Sequence, residues 1–71
     1  MKTLNKAQYR AFKRTWWRHN PNWPNGLEPY AGRKIFLGKF LTEEGARDFC
    51  RQWNSSHEPG KLSLKAEYEI I

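Results

Sequence analysis

Six cations precede the first carboxylate of this chain: Lys2, Lys6, Arg10, Lys13, Arg14 and Arg18 all come before Glu28. Seven later cations balance seven acids, so the net charge of +6 belongs to the first 27 residues. Tyr9, Phe12, Trp16 and Trp17 are interleaved with that charge. Ammonium and guanidinium groups neutralise phosphates, and flat rings stack on unpaired bases, so the pattern suits a nucleic acid. Arg10, Lys13, Arg14 and Arg18 are the candidate phosphate contacts, extended by Arg33, Lys34 and Lys39 on a neighbouring strand, with an exposed Trp17 setting orientation. The plainer alternative is a solvated strand whose charges serve solubility and edge protection. Trp, Tyr and Arg are also the usual anchors of protein interfaces, and on that reading Trp23 and Tyr30 are the partner-binding residues. A polyanion ligand requires the amino-terminal cations to share one open side, unoccupied by Glu67 and Glu69.

Other chemistries find less support. Cys50, His19 and His57 are the soft ligands, with no pair at ligand spacing, whereas structural zinc needs four Cys or His, so no metal is expected. Cys50 falls on an apolar helix face, where a small buried hydrophobe is the expected role rather than a nucleophile. Glu43 and Glu44 are adjacent at a helix start, which suits the helix dipole and gives no acid/base pair across a cleft. There is no Gly-rich phosphate loop and no Ser/His/Asp pattern. Seventy-one residues form one domain, 1–71, with a thin core and little room for a water-excluding cleft. A non-enzymatic protein without cofactor is expected. A single cysteine, no apolar leader and no apolar run of membrane-spanning length point to a cytoplasmic protein that does not reside in a membrane.

The elements that must position these residues follow from spacing. Thr42 caps a helix to about Asn54, with Ala46, Phe49, Cys50 and Trp53 at i, i+3, i+4, i+7 on one buried face. Before it, Arg33 to Leu41 reads as a strand with Phe36, Gly38 and Phe40 on one side and Ile35, Leu37 and Lys39 on the other. Gly38 there suggests close approach of the helix backbone. After the helix, Leu62, Leu64, Ala66, Tyr68 and Ile70 alternate with polar residues, a strand with one wet face. A first strand from roughly Tyr9 to His19 is expected to turn Phe12 and Trp16 inward, with a bulge as the device that serves both faces. Of Trp16 and Trp17, one is assigned to core and one to contact. Residues 19–32 carry Asn20-Pro21, Pro24-Asn25-Gly26 and Glu28-Pro29, which is loop chemistry. Its Trp23 and Tyr30 either pack the loop down or present it to a partner. The expected fold class is α+β: a small three-stranded antiparallel sheet with one helix on one face, in the order β-β-α-β.

The run Arg33-Lys34-Ile35-Phe36-Leu37-Gly38-Lys39-Phe40-Leu41-Thr42-Glu43-Glu44-Gly45-Ala46-Arg47 resembles the strand-to-helix junction of the plant ethylene-response-factor domain and the arm-binding domains of tyrosine integrases. That resemblance covers about a fifth of the chain and implies duplex DNA bound on a sheet, with Arg10, Arg14, Trp16 and Arg18 in the contacting positions. Those families place all three strands before the helix, whereas here the third follows it. More broadly, Thr15-Trp16-Trp17-Arg18, Asn25-Gly26-Leu27-Glu28-Pro29 and Leu62-Ser63-Leu64-Lys65-Ala66-Glu67-Tyr68 resemble small accessory proteins of tailed bacteriophages. That resemblance implies a host-cell cytoplasmic location and carries no activity. Two functions are therefore expected in order: a basic nucleic-acid-binding module, DNA favoured over RNA, or a phage protein that blocks an acidic surface of a host or defence protein. A monomer or weak homodimer is expected for either.

Overall fold

The computed structural model describes residues 7–71, so Lys2 and Lys6 of the basic run lie outside the described residues. The chain forms β1 (Tyr9–Arg14), β2 (Trp17–His19), β3 (Leu27–Pro29), β4 (Ile35–Phe40), α1 (Glu43–Ser56) and β5 (Lys65–Ile70). β1 is central in an antiparallel sheet of order β4-β1-β5, while β2 and β3 form a separate two-stranded ladder. This is the expected α+β fold, with the third strand of the main sheet following the helix.

The helix forms where the sequence calls for it. Thr42 is extended and its Oγ1 accepts from the Gly45 N–H at 3.1 Å, Glu43 and Glu44 occupy the first turn, and Ala46 and Cys50 are buried. Ala11, Cys50 and Ala66 make the centre of the core, ringed by Leu37, Phe40, Phe49, Trp53 and Tyr68. Three small residues at the centre let helix and sheet approach closely, and the larger side chains close the sides.

Several expectations are corrected. The first strand breaks at Thr15 and Trp16, so Tyr9 to His19 is two strands belonging to two different ladders. The supposed loop contains β3, whose Leu27, Glu28 and Pro29 pair with His19, Arg18 and Trp17. Leu62 and Leu64 are not strand: Pro59 to Leu64 is a turn in which Leu64 N–H donates to the Pro59 carbonyl, and the ladder begins at Lys65.

Face assignments change as well. Ala11 and Lys13 register with Tyr68 and Ala66 on the helix side, so Phe12 lies on the opposite side with Arg10 and Arg14. Phe12 is nevertheless only 2% exposed. A register shift between Ala11 and Phe12 pairs Ala11 with Gly38 but Phe12 with Phe36, so Leu37 is the extra residue. That bulge turns Phe36 away from Gly38 and Phe40 and lets Leu37 join the core. No helix backbone crowds Gly38; the nearest atoms to a β-carbon there belong to the Phe40 ring at 3.7 Å.

Candidate functional site

Alternation along β1 puts Arg10, Phe12 and Arg14 on the sheet face away from the helix, and the neighbouring strands decide what those side chains meet. β5 registers Glu69 against Arg10, Glu67 against Phe12 and Lys65 against Arg14. Arg10 Nε donates to Glu69 Oε2 at 2.6 Å, and Lys34 Nζ donates to Glu69 Oε1 at 2.6 Å. Those two bonds, Lys34 first, hold the Glu69 carboxyl below its ordinary pKa. Arg14 Nε stands 3.9 Å from Glu67 Oε2, which already accepts from Trp16 Nε1 at 2.7 Å.

The same cations roof the aromatic rings beneath them. Lys34 Nζ lies 4.8 Å from the Phe12 ring centroid, the Arg14 guanidinium 5.2 Å from Phe12 and 4.6 Å from Trp16, and the Arg10 guanidinium 4.7 Å from Phe36. Phe36 meets Phe12 edge-on at 6.4 Å. Phe12 thus has a second, ionic-aromatic core on the face the helix does not cover, built from cation stems and π-faces.

The cations nominated from sequence therefore do not form one free track. Arg10, Arg14, Lys34 and Lys39 share the open face, but the first three are engaged by Glu67 and Glu69. Lys13 points to the helix side, 5.8 Å from the Trp53 ring. Arg18 stands on β2, where its Nε donates to Glu28 Oε1 at 2.9 Å and its guanidinium covers Tyr30 at 4.6 Å. The Arg18 bond, followed by one from Asn20 Nδ2, lowers the Glu28 carboxyl pKa, and Glu28 in turn raises that of Arg18. Arg33 and Lys39 are exposed and make no ion pair among the described residues. Charge counting along the chain misses this because the neutralising acids are more than 50 residues from their β1 partners. The alternation of Glu67 and Glu69 with Ala66 and Tyr68 is the signal that singles these two acids out, and they do occupy the cationic side.

The second surface is the arm made by β2, β3 and the segment between them. Among the described residues it packs on no other helix or strand and is anchored at its root. There Trp16 and Trp17 N–H both donate to the Leu62 carbonyl, Tyr30 N–H to Trp16, and Gly32 N–H to Thr15. The tip is held by its own bonds. Asn20 N–H donates to Gly26, Trp23 N–H to Asn20 and Gly26 N–H to Trp23, while Asn20 Oδ1 and Asn25 Oδ1 accept from Asn22 and Leu27 N–H. Gly26, at φ 77°, takes the left-handed turn position that such a tip needs. On this frame Trp23 is 42% and Tyr30 44% exposed. Tyr30 lies under the Arg18 guanidinium, and both Trp23 and Tyr30 keep an exposed surface. Trp16 and Trp17 are both half-buried, so neither is wholly core or wholly contact.

Among the described residues no His, Cys, Asp and Glu group could hold a metal ion, and no helix is long and apolar enough to cross a membrane. No protein-family model, curated protein or solved structure matches the chain.

Proposed function

We propose that this protein is a non-enzymatic recognition module that binds a protein partner through the β2–β3 arm, with Trp23 and Tyr30 as anchors and the basic body favouring an acidic surface. The observation that carries this reading is the arm itself: a hydrogen-bonded frame with Trp23 exposed at its tip and Tyr30 exposed beside its root. Such rings supply contact area at low entropic cost, and a rigid frame reduces the ordering cost of association. The resemblance to small tailed-phage accessory proteins is what suggests a host or anti-phage defence protein as the partner. The test compares immobilised wild-type protein with Trp23→Ala/Tyr30→Ala in a nuclease-treated bacterial lysate at moderate salt. Proteins retained by the wild type and lost from the double variant are expected; an unchanged retained set overturns the reading.

Nucleic-acid binding is the second reading, favoured by the open face carrying Arg10, Arg14, Lys34, Lys39 and Lys65 against two acids, Glu67 and Glu69. With the paired cations discounted, phosphate contact falls to Arg33, Lys39 and Lys65. About three phosphates give a log-log salt slope near −3 on duplex DNA, shallower than the basic run alone suggests. A gel-shift assay with unrelated DNA and RNA at low salt checks it: a shift lost in Arg33→Ala/Lys39→Ala/Lys65→Ala supports nucleic acid, and no shift removes it.

A further inference from the structure

The two edges of the main sheet are finished differently. On β5 the Asn54 side chain, reaching from the helix, donates Nδ2 to the Ala66 carbonyl at 3.1 Å and accepts from Ala66 N–H at 2.8 Å with Oδ1. One amide thus takes both backbone groups that Ala66 would offer to a further strand. β4, the other edge, has no strand on its outer side among the described residues. Its sequence, Ile-Phe-Leu-Gly-Lys-Phe, contains no acid and no proline, and Ile35 and Phe36 are 48% and 56% exposed. Protected edges carry several charges, proline or a covering element. β4 has only Lys39 and its bulge.

A groove of about 420 Å³ opens against this strand, lined by Arg10, Phe36, Leu37, Gly38 and Lys39. Phe36 and Leu37 give it an apolar wall, and Gly38 contributes bare backbone. The charges around it have one sign on the strand and its approach: Arg33 and Lys34 before β4 and Lys39 within it, with Arg33 and Lys39 unpaired among the described residues. Glu69, across the sheet, is already taken by Arg10 and Lys34, and the acids that follow the strand, Glu43 and Glu44, belong to the first turn of α1.

We propose that β4 is a docking edge for an extended acidic segment of a partner protein, which adds as a fourth strand. Its backbone pairs with β4, an apolar side chain enters the groove beside Phe36, and its carboxylates meet Lys39 and Arg33. Main-chain bonds give such additions their affinity and pockets for alternate side chains their selectivity. The edge is independent of the arm, so either can fail without the other.

The test is fluorescence anisotropy of the whole protein with labelled peptides of alternating valine and glutamate. Three comparators are used: valine with lysine, the same glutamate peptide N-methylated at every second residue, and Lys39→Glu protein. Expected is saturable binding of the glutamate peptide, at least ~tenfold weaker for the N-methylated peptide, which keeps its charge but loses ladder donors. The lysine peptide and Lys39→Glu should also weaken it. Equal binding of the methylated and unmethylated peptides overturns the proposal, leaving unspecific charge attraction, as does no binding at all. The peptide comparisons on wild type stand even where the variant fails to fold. Sedimentation of the protein with and without peptide is the remaining arm: a concentration-dependent dimer that the glutamate peptide dissociates assigns the edge to a second copy and also overturns it.

Discussion

Glu69 accepts 2.6 Å bonds from both Lys34 and Arg10, and those cations in turn lie over Phe12 and Phe36. Removing its charge frees two cations and loosens the roof of the face the helix leaves bare. Because the native carboxyl titrates below its ordinary value, its contribution is fully present above the unfolded pKa and disappears as pH falls through the lowered native one. Glu69→Gln is therefore expected to shift the urea midpoint downward at neutral pH, with the difference from wild type shrinking at acid pH as the native carboxyl takes up its proton. An equal gap at both pH values would show that shape rather than charge matters at this position. Cys50 is governed by the opposite effect. Burial first, and the negative Glu67 second, push its thiol above the ordinary value, so the reactive thiolate is scarce. Labelling with a disulfide reagent is expected to be at least ~tenfold slower in native than in unfolded protein, because it must wait for local opening.

At the scale of elements, the join between arm and sheet is the most constrained point. A β-carbon on Gly32 would stand 2.6 Å from Thr15 Oγ1 and 3.2 Å from the Thr15 carbonyl, at the residue whose N–H bonds that same carbonyl. Gly32→Ala should destabilise by ~1–3 kcal/mol, and Thr15→Ala in the same background should return part of that, since it removes the hydroxyl but not the backbone contact. Thermal melts of the two single variants and the pair read this coupling. Asn54 is the corresponding join between helix and β5. Asn54→Ala leaves the Ala66 N–H and carbonyl without their partner, a cost of ~1–3 kcal/mol measurable in the same way.

What could be read in the chain beforehand divides along the same lines. The helix was legible because its cap, its acids and its 3.6-residue spacing agree, and β5 because Ala66, Tyr68 and Ile70 alternate with polar residues, although the same alternation ran on falsely through Leu62 and Leu64. The split of β1 from β2 was not, because Phe12, Trp16 and the arginines between them support either face and only the Leu62 carbonyl under Trp16 and Trp17 shows where the chain leaves the sheet. The Phe36 turn was hidden for a similar reason. A bulge changes pairing, which is a property of two strands, and composition of one strand does not reveal it. Of the nominated cations, four do gather on one face, yet the engagement of three of them by Glu67 and Glu69 depends on strand order.

For the whole molecule, the consequence is a body and an arm with separable tasks. The body is held by Ala11, Cys50 and Ala66 under the helix and by the ionic-aromatic cover over Phe12, and neither uses a residue between His19 and Leu27. The arm is fixed to it at Thr15–Trp17, where four backbone bonds to Leu62, Tyr30 and Gly32 are made. Replacing residues 20–26 with Asn-Gly would let His19 and Leu27, already a register pair, flank a two-residue hairpin turn. Since no core contact is removed, the shortened protein should keep its far-ultraviolet dichroism and melt within about 3 °C of wild type, a change of less than ~1 kcal/mol for a domain this small. It should lose the lysate partners that depend on Trp23, while binding of the valine-glutamate peptide at β4 stays unchanged. A large drop in melting temperature would mean that the tip supports the fold, and the exposure of its rings would then need another explanation than recognition.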